Sequence, residues 1–227
     1  MRNICVLKFY EVINIMKKLL ILGMMLSIFM FTAGAEKFSF KDYSPTSPAV
    51  LKTKDSVSKL NGSDISYPRI TATNPKATKA IQKTMNNFVK KLTDKKDVRS
   101  SATYEVMTNN SSLISVLFTI ERNDMKNKTA DTYYKALTFD AVTGKELKLG
   151  DLLVSGYEKS LETVMEDKIS QLSIPVNSAY KGVEKNQEFY IQKSGIVFFF
   201  TPNKYTEFGD GQLFLPFELT DLRGLLK

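Results

Sequence analysis

Residues 113–120 read Leu-Ile-Ser-Val-Leu-Phe-Thr-Ile, and this alternating stretch decides the fold class. Successive side chains of a β-strand point to opposite faces, so one face of this stretch is wholly apolar. That face carries Ile114, Val116, Phe118 and Ile120, and the other carries Leu113, Ser115, Leu117 and Thr119. The pattern predicts a strand over residues 113–121 in the middle of a sheet, covered on at least one side.

Further strands are predicted on both sides of this stretch, because similar runs are separated by turn-forming residues. They cover residues 64–71, 101–108, 131–141, 188–192, 196–201 and 212–217. Pro68 cannot donate a backbone hydrogen bond, so its strand is expected at a sheet edge. The run 196–200 is apolar on both faces, which favours a central strand.

Two helices are predicted between the strands, over residues 75–94 and 156–172. Asn74 followed by Pro75 is typical of a helix start. The apolar residues at helical spacing are Ala77, Ile81, Met85, Phe88 and Leu92 in the first helix, and Leu161, Val164, Met165, Ile169 and Leu172 in the second. A short helix is expected from Glu218. We therefore expect an α+β protein: a largely antiparallel sheet with two long amphipathic helices packed on it and a short C-terminal helix.

The N-terminal 35 residues have the pattern of a signal peptide, with Met16 as an alternative start. Lys17 and Lys18 precede an apolar run, 19–31, and Ala33-Gly34-Ala35 follows. This run is 13 residues long, interrupted by Gly23 and Ser27, and falls short of the roughly 20 residues that a membrane-spanning helix needs. We expect cleavage near Ala35, no stable membrane anchor afterwards, and a secreted or periplasmic protein.

The rest of the chain divides by composition. Residues 36–60 are rich in Ser, Thr, Lys and Pro, which predicts a polar arm or linker. Residues 61–227 are long enough for a single α+β domain, with two subdomains, 61–128 and 129–227, as the alternative.

The 227 residues include no histidine, and the one cysteine, Cys5, lies in the predicted leader. A Ser-His-Asp triad, a Cys-His dyad and a His-ligated zinc site are therefore excluded. We predict no catalytic residue, no metal site and no cofactor, and expect that the protein is not an enzyme. The oligomeric state stays open.

The charge points to anionic partners. The chain carries a formal net charge of +8, and loss of residues 1–35 leaves +5. The polar face of the first helix carries Lys76, Lys79, Lys83, Lys90 and Lys91. This positive net charge suits an anionic wall polymer, lipid headgroups or an acidic protein as partner. Export argues against nucleic acid. A solvated, solubilising helix face is the alternative.

The loop 201–211 is the candidate partner-binding segment, because binding residues concentrate in loops. We assign partner contacts to Tyr205, Phe208 and Asp210, with the alternative that the aromatic rings fold back onto the core. Asp140 and Asp151 flank a predicted hairpin, where paired carboxylates can perform acid–base chemistry or hold a cation. Their alternative roles are in the turn and in a helix cap.

Several segments together resemble a family of exported bacterial domains of unknown function. They are Ser-Tyr-Pro-Arg-Ile at 66–70, LTFDAVTGKELKLGDLL at 137–153, the hairpin 189–200 and the closing segment 211–219. The family occurs in the extracellular part of RsiV-type anti-sigma factors, which sense lysozyme, and in the non-catalytic region of PdaC-type peptidoglycan deacetylases. We expect neither an anti-sigma segment nor a deacetylase domain in this chain.

The resemblance implies a non-catalytic envelope domain that binds a protein, such as a lysozyme, or an anionic wall polymer. The alternative function is a cell-wall glycan hydrolase that uses Asp140 and Asp151.

Overall fold

The computed structural model describes residues 38–208 and 211–227, and its elements are given for that part of the chain. The strands are β1 (Lys52–Leu60), β2 (Ser63–Thr71), β3 (Val98–Asn109), β4 (Leu113–Asp124), β5 (Thr129–Asp140), β6 (Glu188–Gln192), β7 (Gly195–Phe199) and β8 (Phe214–Glu218). The helices are α1 (Pro75–Thr93), α2 (Leu149–Leu152) and α3 (Glu158–Gln171). No helix among these residues is long and apolar enough to cross a membrane.

Five strands form a mixed sheet, the large sheet, in the order β1-β2-β3-β4-β5. Neighbours are antiparallel except β2 and β3, which run parallel and pair only at Asp64 with Ser101 and Ile65 with Ala102. Strand β4 lies between β3 and β5, as its alternation predicted. Because β4 and β5 pair along twelve residues, the alternative domain boundary at 128/129 falls inside one sheet.

The remaining strands form a separate small sheet, antiparallel in the order β6-β7-β8. The central position of β7 was predicted, and all five of its residues are buried. The prediction of a single largely antiparallel sheet is wrong. Alternation and apolar runs identify strands, but they do not identify which strands pair.

Each sheet has its own helix, so the prediction of two long helices on one sheet is also wrong. The 19-residue helix α1 packs on one face of the large sheet, against Ile114, Val116, Phe118 and Ile120. The small sheet covers part of the opposite face, where the Ser115 hydroxyl accepts a 3.0 Å hydrogen bond from the Ile191 amide. The shorter α3, 14 residues long, packs on the far face of the small sheet through Leu161, Met165 and Ile169.

The prediction of a short C-terminal helix is wrong as well. Glu218 ends strand β8, and residues 219–225 form turns. The Asp221 amide donates to the Glu218 carbonyl, and the Arg223 amide donates to the Thr220 carbonyl. Both are the i+3 to i hydrogen bonds of turns. Gly224 has a φ of 88°, a left-handed conformation that ends any helical continuation.

The start of α1 follows from its sequence. The Asn74 side chain accepts a 2.9 Å hydrogen bond from the Lys76 amide, and Pro75 takes the first helical position.

The segment 36–60, predicted as an arm or linker, is integrated into the fold over its described part. All nine residues of β1 pair with β2, so β2 is not the edge that Pro68 predicted. Before β1, Phe38, Phe40 and Tyr43 pack against the apolar cluster of the small sheet. The Phe40 amide donates to the carbonyl of Lys227 at 3.0 Å, so the two ends of the described chain are in contact. The leader, residues 1–35, lies outside the described residues.

The Thr-Gly-Lys turn after β5 lies against α1. Gly144 has a φ of 72°, and a Cβ atom there would lie 2.3 Å from the Ala77 carbonyl oxygen. The turn is closed by the Gly144 amide donating to the Asp140 carbonyl at 2.9 Å. Helix α1 is thus fixed by its apolar face and by the turn that contains Gly144.

Candidate functional site

Positive charge is concentrated in about a quarter of the described chain. Residues 50–100, which contain β1, β2 and α1, include 12 Lys or Arg and only 4 Asp or Glu. Residues 101–227 include 14 Lys or Arg and 17 Asp or Glu. The basic character of the protein therefore belongs to one edge of the large sheet and the helix that covers it.

A groove of about 740 Å³ runs through this region between α1 and strands β1 and β2. We call it the basic groove. Its lining residues are all polar or charged: Lys52, Thr53, Lys54, Asp55, Ser56, Arg69, Thr71, Thr78, Gln82 and Asn86. A groove with no aromatic or aliphatic residue in its lining suits a hydrated, charged ligand better than a protein, because protein interfaces are built around such anchors.

The cations of the groove lie close together because of the strand register. Lys54 of β1 is directly opposite Arg69 of β2, and Lys52 is directly opposite Thr71. Like charges directly opposite each other on neighbouring strands destabilise a sheet. Within residues 38–208 and 211–227, the side chains of Lys52, Lys54 and Arg69 have no ion-pair partner. An anion bound here would relieve the repulsion.

The one carboxylate that lines the groove, Asp55, is engaged by a neighbouring strand. The Tyr104 hydroxyl of β3 donates a hydrogen bond to Asp55 Oδ1. Burial, with the hydrogen bond to Asp55 and its charge, raises the pKa of Tyr104 to about 12, so the hydroxyl keeps its proton. Asp55 is therefore held by Tyr104, and it forms no ion pair within the described residues.

The helical wall of the groove is anchored by side chains. The Thr78 hydroxyl accepts from the Ala72 amide at 2.9 Å, and Gln82 Nε2 donates to the Ile70 carbonyl at 3.0 Å. One turn further along α1, Asn86 is exposed, and its side-chain amide has no hydrogen-bond partner among the described residues. The wall is thus rigid at two positions and offers a free amide at the third.

The five lysines predicted on the polar face of α1 (Lys76, Lys79, Lys83, Lys90 and Lys91) are all exposed. They extend the positive surface beyond the groove. This helix face was predicted, but the groove cations were not: Lys52 and Lys54 fall in the predicted polar arm, and Arg69 falls in a strand that was predicted without its partner β1. The charge imbalance of residues 50–100 is the sequence signal that points to them.

The structure describes two of the three loop residues predicted to bind a partner. Tyr205 is only 8% exposed, packs against Phe200 and Tyr180, and donates its hydroxyl to Glu184 at 2.9 Å. Phe208 is 57% exposed. Asp210 lies outside the described residues. For Tyr205, the structure agrees with the alternative in which the ring folds back onto the core.

The two carboxylates that flank the predicted hairpin accept hydrogen bonds from nearby backbone amides. Asp140 Oδ1 accepts from the amides of Val142 and Thr143, both at 2.8 Å. Asp151 Oδ2 accepts from the Lys148 amide at 3.0 Å at the start of α2, and Oδ1 pairs with the Lys145 ammonium. These are the contacts of a turn and a helix cap. No cluster of three or more metal-ligating side chains occurs within the described ranges.

Comparison with known proteins supports the fold. No protein-family model matches the chain, and no curated protein does. A crystal structure of a DUF3298 family member from Bacteroides fragilis is 12% identical and has a TM-score of 0.55, covering 80% of this chain and 95% of that one. A DUF3298 protein from Pseudomonas aeruginosa is 11% identical with a TM-score of 0.52, covering 81% and 97%. The chain thus shares its fold with domains of unknown function, and neither name states a catalytic activity.

Proposed function

We propose that this chain is an exported, non-catalytic domain of the cell envelope that binds an anionic polymer through the basic groove. The observation that carries the proposal is the set of cations on the groove floor, Lys52, Lys54 and Arg69, without a carboxylate partner in the described chain. The segments that resemble RsiV-type and PdaC-type domains also suit a role in the envelope.

A polymer explains the site better than a protein partner or a hydrolysed glycan does. The groove has no apolar anchor for a protein. The two carboxylates that a hydrolase would use, Asp140 and Asp151, are bound to backbone amides of a turn and a helix start. Repeated cations along a strand and a helix instead match repeated anions, and their attraction is long-ranged at low salt.

Binding is tested with dextran sulfate, using unmodified dextran as the uncharged polymer. We expect binding of dextran sulfate that weakens as salt rises, and no binding of dextran. Replacement of Lys52, Lys54 and Arg69 by Gln should weaken binding about tenfold or more, because each exposed ion pair contributes up to about 1 kcal/mol. Isothermal titration calorimetry at two salt concentrations measures the effect.

The matched control removes two lysines and one arginine elsewhere: Lys159→Gln, Lys181→Gln and Arg223→Gln, all exposed. It changes the net charge equally and should stay within about twofold of the wild type at high salt, where distant charges are screened. The groove variant should also unfold at the same or a higher temperature, since it relieves the Lys54–Arg69 repulsion. Equal losses in both variants would contradict a localised site.

Export is a separate part of the proposal, because the leader lies outside the described residues. Cleavage near Ala35 predicts that the protein recovered from the periplasm or medium begins near Glu36. Intact-mass spectrometry of that fraction measures it. A mass that retains the apolar run 19–31 would show that the leader is not removed.

A further inference from the structure

The opposed cations of the basic groove have a geometry that lets them share one anion. Side chains directly opposite in an antiparallel pair have Cβ atoms about 4.5–5.5 Å apart. From that separation the Lys54 ammonium and the Arg69 guanidinium can both reach one anion. A guanidinium offers two parallel donors that match two oxygens of a phosphate, and a lysine adds a point charge.

Lys52 continues this site along the strand. It lies two residues from Lys54 on β1, which places their Cα atoms about 6.6 Å apart at the rise of a β-strand. An extended peptide covers three main-chain bonds in about 3.5 Å. Any extended chain of six such bonds therefore spans about 7 Å. Six bonds also separate successive phosphorus atoms that are joined by a three-carbon polyol. The spacing of the two lysines therefore matches successive phosphates of such a polymer.

The helical wall supplies the group that a polyol would need. Asn86 lines the groove, is exposed, and has a side-chain amide without a partner in the described part of the protein. An amide can donate to and accept from a hydroxyl group. Phosphates on the floor and a hydroxyl at the wall define a ligand that carries both.

We infer that the basic groove recognises a polyol phosphate polymer, which lies along β1 with one phosphate between Lys54 and Arg69, the next at Lys52, and a hydroxyl at Asn86. This inference rests on the proposed function, since it specifies the ligand of the same groove.

The test compares three polyanions at equal ionic strength: poly(glycerol phosphate), inorganic polyphosphate and polyglutamate. The wild type should bind poly(glycerol phosphate) about threefold to tenfold more tightly than polyglutamate, because polyglutamate has no hydroxyl for Asn86 and carries its anions on flexible side chains rather than in the chain itself. Arg69→Lys keeps the charge but loses the two parallel donors, and should weaken the binding of poly(glycerol phosphate). Thermal unfolding of each variant confirms that it is folded.

Asn86→Ala tests the hydroxyl contact. It should weaken poly(glycerol phosphate) about threefold to tenfold, as expected for one lost hydrogen bond, and leave polyphosphate, which has no hydroxyl along its chain, unchanged. The control is Asn87→Ala, the adjacent exposed asparagine, which is outside the groove lining. Binding of all three polymers according to charge alone would overturn this inference and leave the proposed function standing. Binding of none would overturn the proposed function.

Discussion

Gly144→Ala should destabilise the protein by about 2–5 kcal/mol, because two unfavourable effects act at one position. The φ of 72° is a left-handed conformation that residues with a Cβ rarely adopt. The new Cβ would also lie 2.3 Å from the carbonyl oxygen and 2.7 Å from the Cα of Ala77 in α1. These are backbone atoms, so no side chain can move aside. Urea denaturation of the purified variant measures the loss.

Two other glycines separate the two effects. Gly156 has a similar φ of 76° but open space around its Cα, so Gly156→Ala should show the backbone strain alone, about 1–2 kcal/mol. Gly150 has neither a positive φ nor a neighbour within 4 Å, so Gly150→Ala should change stability by less than about 1 kcal/mol. If Gly144→Ala cost no more than Gly156→Ala, the packing of the turn on α1 would be refuted.

Phe199→Ala should cost about 3–5 kcal/mol, which corresponds to a fall of about 6–20 °C in the unfolding temperature. Phe199 is 2% exposed and lies in the cluster between the two sheets. Its ring stacks on Phe214 with centroids 5.6 Å apart and approaches Tyr190 and Tyr134 at 5.9 and 6.3 Å. The variant leaves a cavity at the contact between the sheets. Differential scanning calorimetry measures the change.

Phe208→Ala is the matched control, since it removes the same side chain from an exposed position. We expect a change within about 0.5 kcal/mol. An unaltered unfolding temperature for Phe199→Ala would mean that the two sheets are not held together by this cluster.

Elements with a strong local pattern could be predicted from the sequence. Helix α1 was predicted over 75–94 and is found at Pro75–Thr93, because its cap residue and its apolar spacing both act locally. The hairpin of β6 and β7 was also predicted, with residues 188–192 matching β6.

Elements that depend on partners distant in the sequence could not be predicted in this way. Strand β1 is exposed along nearly its whole length, so it lacks the apolar alternation that identifies a half-buried strand. It is a strand because β2 supplies its hydrogen bonds. The division into two sheets likewise depends on pairing, which alternation does not encode.

The basic groove could not be predicted either, because it too depends on the pairing of segments that are distant in the sequence. Its residues come from three separate segments, 52–56, 69–71 and 78–86, which meet through the β1–β2 register and the position of α1. The burial of Tyr205 could not be predicted either, because an aromatic side chain in a loop can face a partner or complete the core, and sequence pattern alone does not distinguish the two outcomes.

The contact between Phe40 and Lys227 has a consequence for how this fold can be combined with others. Both the Phe40 amide and the Ser39 hydroxyl donate to the Lys227 carbonyl, at 3.0 and 3.2 Å. A domain whose chain enters and leaves at one point can be inserted into a surface loop of another protein without separating the ends of that loop. It also tolerates circular permutation, in which the old ends are joined and new ends open at an exposed turn. The fold is thus suited to serve as a module within longer proteins.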